Sequence, residues 1–135
     1  MNPYSEIKAI ASCFYESYNR KDLEKSFDDF IDPDLVNHTM GGNLGRTEWL
    51  NFDKAFLLAC PDLQLTIKEQ FSEGNKVVTH WTCTGTHKED FFGMEASGNA
   101  IRLTGISIDS IEKGKIKEHL AMADFTQFMQ QFSKK

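Results

Sequence analysis

Asp124 ends a stretch in which apolar residues alternate with residues able to carry charge. Counted in twos, Ile116, Glu118, Leu120, Met122 and Asp124 share one face, and Lys115, Lys117, His119 and Ala121 share the other. The first face is the more apolar, so it is expected to look inward. Asp124 then lies near Met122, Phe125 and Phe128. A carboxyl desolvated by such neighbours keeps its proton closer to neutral pH, which suits a general acid/base. Asp is also a common helix cap, and the residues alone leave both jobs open. His119 falls on the opposite face. That makes it a sheet-face or interface residue unless a bulge reverses the phase.

His38, next to Asn37, is the other candidate for moving a proton. An imidazole in a pocket hydrogen-bonds a carbonyl or exchanges a proton near neutral pH. A loop histidine bonded to backbone is the alternative. His80 reads as an outer-face residue and His87 as a strand-end residue. No two of the four histidines stand at i,i+2 or i,i+4, so no metal site is expected. Cys13, Cys60 and Cys83 are odd in number and widely spaced, and imply neither a disulfide framework nor a zinc site.

The composition narrows the partners. The 135 residues fit one domain, with 40% hydrophobic and 26% charged residues. A net charge of −5 argues against a nucleic-acid partner. Only the tail Ser133-Lys134-Lys135 is locally basic. The longest apolar run, Ala55 to Cys60, is far short of the ~18 residues of a spanning helix. Glu6 and Lys8 interrupt any signal-peptide core. A cytoplasmic protein without a membrane partner is expected.

The elements that must position these residues follow from periodicity. A first helix is expected from a cap at Asn2 and Pro3, with Ile7, Ile10, Ala11, Phe14 and Tyr18 on one stripe. A second carries Leu23, Phe27, Phe30 and Ile31 and ends at Asp32-Pro33. Leu35 to His38 is extended. A third helix is expected to open at Thr47 as cap and to close at Pro61, with Trp49, Leu50, Phe52, Phe56 and Leu57 on its apolar face. The period then becomes two. Leu63, Leu65 and Ile67 mark one strand, Val77 to His87 another, Ala100 to Ile111 a third and Ile116 to Met122 the last. Glu73-Gly74-Asn75-Lys76 and Glu112-Lys113-Gly114-Lys115 are hairpin turns. In the third strand the apolar parity switches across Gly105, which predicts a bulge there. Phe125 to Phe132 forms a closing helical turn or two. Helices first and strands after give an α+β fold: a cone-shaped, curved antiparallel sheet with helices over its concave face, enclosing a pocket.

In such a cone the core and the pocket wall are one surface. Phe14, Tyr18, Trp49, Phe56 and Trp81 are each core or wall residues. With Asn37, Leu120 and Met122 they form the expected substrate-binding set.

Several stretches carry a family resemblance. They are YESYNRK at Tyr15 to Lys21, LVNH at Leu35 to His38, PDL at Pro61 to Leu63 and GTH at Gly85 to His87. Phe92-Gly93 and GKIKEHLAMAD, ending at Asp124, complete the series. In order and spacing the chain resembles the SnoaL-like polyketide cyclases of the nuclear-transport-factor-2-like superfamily. The resemblance implies a cone-shaped fold, dimerisation through the outer sheet face, and chemistry without a cofactor. It also implies a carboxylate acid/base at the position of Asp124, and it favours a pocket role for His38. Two departures stand out. Leu120 replaces the family's Trp after Glu118-His119, and Met94 to Gly98 replaces a Pro-Pro-Thr-Gly type of loop.

Two classes of function fit. One is a cofactor-free enzyme that removes a proton beside the carbonyl of a small apolar compound and then cyclises or isomerises it. Asp124, His38 and His119 are its candidate catalytic residues. The other is a non-catalytic module on the same fold that binds a small ligand or another protein. An epoxide hydrolase would need an Asp-Arg-Asp set, and no clear pair of carboxylates joins Arg102 on its strand.

Overall fold

The computed structural model describes residues 3–133. Helices α1 (Pro3–Arg20), α2 (Leu23–Phe30) and α3 (Arg46–Ala59) fill the first half, with strand β1 (Ile31–Asn37) and a short 3-10 turn (Thr39–Gly41) between them. Strands β2 (Gln64–Glu73), β3 (Lys76–Thr86), β4 (Ala100–Glu112) and β5 (Lys115–Ala123) follow, then helix α4 (Phe125–Gln130). No helix among the described residues is long and apolar enough to cross a membrane.

The strands form one sheet in the order β1-β5-β4-β3-β2. β1 runs parallel to β5 and the other pairs are antiparallel, so the sheet is mixed, curved and open. The turns obey backbone sterics. Gly74 takes φ +60° as the first central residue of the β2–β3 turn. Lys113 and Gly114 both take positive φ between β4 and β5, the pattern of a type I′ turn.

Two boundaries differ from expectation. α2 stops at Phe30, and Ile31 opens β1, which holds Pro33 because it is an edge strand. α3 begins one residue before Thr47; its cap is Gly45, whose N–H donates to Glu48 Oε1 at 3.1 Å. The expected cap at Asn2 lies outside the described residues.

The larger corrections concern which faces turn inward. Pairing of β3 with β4 runs unbroken from Lys76↔Ser110 to Thr86↔Ala100, so Gly105 carries no bulge. Ile101, Leu103, Gly105, Ser107, Asp109 and Ile111 all point into the cone. Ile106 and Ile108 face out, in register with Met122 and Leu120 of β5 and with His80 and Val78 of β3. The parity switch therefore marks a second apolar surface on the outside of the sheet. The bulge sits in β5 instead. Ile111 pairs Ile116 while Ser110 pairs Glu118, leaving Lys117 as the extra residue. Beyond it the phase is reversed: His119 and Ala121 point inward, and Glu118, Leu120 and Met122 point outward. A second register shift in β2, between Ile67 and Glu69, adds to the curvature.

Gly105 has a packing reason. The Trp81 indole lies across it, so a Cβ there would stand 2.6 Å from Trp81 Cζ2 and 3.0 Å from the Met122 carbonyl oxygen. The indole is pinned by its own N–H, which donates to Ser107 Oγ at 2.7 Å. Over this face α1, α2 and α3 deliver an edge-to-face aromatic cluster. Phe14 is fully buried and packs against Tyr15, Tyr18, Phe27 and Trp49 with centroids 5.2–5.7 Å apart. Gly105→Ala is expected to cost about 1–3 kcal/mol by overpacking against Trp81. Urea titration checks this, and an unchanged midpoint would mean that the indole is free to move.

Candidate functional site

Between the helices and the inner sheet face lies a cavity of about 820 Å³. Its walls are mainly aromatic and aliphatic, and two carboxyl-centred groups interrupt them.

The first group is built on β4, β5 and α1. Asp109 is fully buried on the inner face of β4. A buried carboxylate is costly without donors, and two reach it. His119 Nδ1 lies 2.6 Å from Asp109 Oδ1. The Tyr15 hydroxyl donates to Asp109 Oδ2 at 2.5 Å. Burial first, and then the Asp109 charge, hold the Tyr15 phenol well above its ordinary value, so it stays a donor. A carboxylate at Nδ1 favours the tautomer with its hydrogen there, and in that tautomer the Nε2 lone pair is free. Nε2 has no protein partner among the described residues and is not enclosed, and His119 lines the cavity. The Trp49 indole stacks on the imidazole with centroids 4.2 Å apart and planes 21° apart.

Asn37 stands beside His119, its register partner on β1. Its Oδ1 accepts the Thr39 N–H at 2.9 Å, which fixes the amide and leaves Nδ2 as a donor at the cavity wall.

The second group is on α3. Asp53 is half-buried, and its Oδ2 accepts from the Tyr18 hydroxyl at 2.5 Å and from Trp49 Nε1 at 3.0 Å. Oδ1 has no protein donor among the described residues and is not sealed off, so it opens to the cavity. Desolvation raises the carboxyl from its ordinary 3.8 to about 6, against the opposing pull of Tyr18, His119 and Trp49. Cys83 lines the same wall, and burial pushes its thiol up to about 12.

Of the residues expected at the site, His119, Asn37, Tyr18, Trp49, Phe56 and Trp81 line the cavity. Phe14 lies behind the wall in the solid core. Asp124 is not an inward, desolvated carboxyl. It is exposed and caps α4, with Oδ1 accepting the Gln127 N–H at 2.9 Å, the alternative that the residues had left open. Leu120 and Met122 are on the outer face because of the bulge at Lys117. The His38 ring is turned outward to Glu118, 3.0 Å away, while its backbone N–H donates to the His119 carbonyl. His80 is near Glu69 on the outer face, and His87 is buried against Ser97.

Sequence reasoning missed Tyr15, Asp53 and Asp109. Asp53 was legible: four residues after Trp49 and three before Phe56, it is a carboxyl on the apolar stripe of α3. Asp109 sits among isoleucines in a strand, but only the register says which face it takes.

Asp53 binds its proton more tightly in the folded protein than in the unfolded chain. Its contribution is therefore fullest below 3.8 and is lost as pH rises toward about 6. Urea titrations of wild type across that interval are expected to show a decline on the order of 2 kcal/mol, after allowing for partial solvent screening. Asp53→Asn should lack that decline. Parallel pH curves for the two proteins would assign Asp53 an ordinary carboxyl.

Comparison with known proteins agrees with this architecture. A family model described as SnoaL-like polyketide cyclase matches residues 8–132. AclR from Streptomyces galilaeus, a proposed hydroxylase, superposes with a TM-score of 0.86 at 24% identity, covering 96% of each chain. IdmH from Streptomyces antibioticus, a proposed polyketide cyclase, has a TM-score of 0.80 at 25% identity, covering 93% of this chain and 96% of its own. A proposed polyketide cyclase from Acidithiobacillus ferrooxidans has a TM-score of 0.76 at 26% identity, covering 97% and 99%. No curated protein matches the sequence. A match across nearly the whole chain, on this cone of helices and curved sheet, places the protein in the SnoaL-like polyketide cyclase family.

Proposed function

We propose that this protein is a cofactor-free enzyme that removes a proton beside the carbonyl of a small apolar compound, with His119 as the base. The observation that carries the reading is a single imidazole with one nitrogen held by a fully buried carboxylate and the other open to an apolar cavity. A buried aspartate in that place fixes the ring orientation and stabilises the imidazolium that forms.

The chemistry follows from the neighbours. The substrate lies against the rings of Trp49, Trp81 and Phe56, which keep water from the reacting carbon. His119 Nε2 takes the proton from the carbon next to the carbonyl. The resulting imidazolium faces Asp109, and the Tyr15 hydroxyl keeps that carboxylate bound on its other oxygen. Asn37 Nδ2, on the adjacent strand, donates to the enolate oxygen as charge develops there. The step needs no redox or metal group, because one proton and one electron pair account for it. The enolate then attacks a second carbonyl or is reprotonated elsewhere, which gives a cyclase or an isomerase. Several relatives by fold are described as proposed polyketide cyclases, which favours the first outcome.

A homodimer belongs to the same reading. The outer sheet face carries an apolar rung, Phe71-Val78-Ile108-Leu120, and beside it Ile106 and Met122 on a rung that also holds His80 and Glu69. Phe71, Ile106 and Met122 are 61%, 48% and 65% exposed, which is a large apolar cost for a monomer. Sedimentation is expected to give a dimer for wild type and a monomer for Met122→Glu; a monomeric wild type would remove this part.

The proton-transfer reading is tested with β-keto esters and ketosteroids in deuterated water, following exchange at the carbon between the carbonyls by mass spectrometry. His119→Gln is expected to slow exchange by roughly 10²–10⁴-fold. Asp109→Asn should also slow it, because the imidazole loses its orienting acceptor. Asp124→Asn should exchange like wild type. Loss of exchange in Asp124→Asn with His119→Gln still active would return the role to the carboxylate that the resemblance implies.

A further inference from the structure

The His119 reading leaves the second polar group of the cavity unused. Asp53 is the one acidic side chain on the cavity wall with an oxygen that no protein donor fills, among the described residues. Its other oxygen holds two donors from two helices, so the carboxyl cannot swing away. The Trp49 indole ties the two groups together. Its ring is stacked on His119 and its N–H donates to Asp53, so the imidazole lies on the face of one indole and the carboxyl at its N–H edge. A substrate lying along that wall touches both.

We propose that Asp53 is the second catalytic residue of the pocket: the acid that protonates the oxygen of the carbonyl under attack in an intramolecular aldol closure. This rests on His119 acting as the base. His119 Nε2 takes the proton from the carbon between two carbonyls. That carbon forms a C–C bond to the acceptor carbonyl carbon, whose π pair moves onto oxygen. Asp53 Oδ1 gives its proton to that oxygen. The product is a β-hydroxy ketone with the atoms of the substrate. The proton held by the imidazolium returns to Asp53 through water, so no oxidant, reductant or co-reactant enters.

The surroundings keep Asp53 suited to this. The titratable groups that face it are Tyr15 and Tyr18 of α1, Cys83 of β3 and His119 of β5, with Asp109 of β4 behind the imidazole. Burial holds both phenols and the thiol in their neutral forms. A positive charge on His119 lowers the Asp53 value. No lysine or arginine lines the cavity among the described residues. Lys54, the next residue, pairs with Glu24 of α2 at 2.8 Å. Desolvation therefore lets Asp53 keep its proton up to about pH 6.

The two steps can be measured separately on one probe: a methyl β-keto ester whose chain carries an aryl ketone placed to close a six-membered ring. Deuterium exchange at the carbon between the carbonyls reports the base. Appearance of the cyclic β-hydroxy ketone reports the acid. In wild type the ratio of closure to exchange should fall about tenfold per pH unit above about pH 6, where Asp53 loses its proton. Asp53→Asn, which keeps an acceptor for Tyr18 and Trp49, should exchange within about threefold of wild type and close at least a hundredfold more slowly. Equal loss of both steps in a folded Asp53→Asn, a closure-to-exchange ratio independent of pH in wild type, or exchange without closure at any pH would each overturn the role of Asp53 and leave His119 standing. Absence of exchange in wild type would overturn both.

Discussion

A carboxylate with no access to water governs this structure. Asp109 is fully buried in the middle of β4, and its two oxygens draw one donor from β5 and one from α1. A buried charge that loses its partner costs about 3–5 kcal/mol, so helix and strand must arrive together. Tyr15 thereby fixes where α1 sits over the sheet. His119 thereby acquires one defined ring orientation. The requirement that keeps the fold in register also leaves a single imidazole nitrogen pointing into the cavity.

That arrangement depends on one extra residue in β5. Without the bulge at Lys117, His119 would face outward with Lys115, and Met122 would face the cavity. The bulge exchanges the two faces for the rest of the strand. It gives the interior a histidine and two alanines, which leave space, and gives the exterior Leu120 and Met122, which extend the apolar surface of the outer sheet face. Cavity volume and outer apolar surface thus have a common origin.

The aromatic residues do two jobs at once. Trp49 belongs to the edge-to-face cluster around Phe14, and it also stacks on His119 and donates to Asp53. Trp81 covers Gly105 and donates to Ser107. Each ring is held by packing on one side and by a hydrogen bond at its polar edge, so the cavity walls are rigid although no polar ladder lines them. The polar groups nearest the indoles, His119, Asp53 and Asn37, are each bonded to the protein on one side.

The sequence by itself determined the element order, the hairpin turns, the aromatic wall and the family, because helical and alternating periods, positive-φ turn residues and motif spacing are local properties. It pointed to Asn37, Tyr18, Trp49, Phe56 and Trp81, whose size or position makes them wall residues in any cone. What tertiary structure decided was which side of each strand is the inside. Alternation assigns two faces but not their direction once a bulge intervenes, and the apolar outer face made the wrong choice look right for Ile106, Ile108, Leu120 and Met122. Asp124 and His119 exchanged places for that reason: the carboxyl became a helix cap, and the imidazole became the group facing the cavity. Tyr15, Asp53 and Asp109 gain their meaning only from partners up to 94 positions away in the chain, and such pairings exist only once the sheet has closed over its helices.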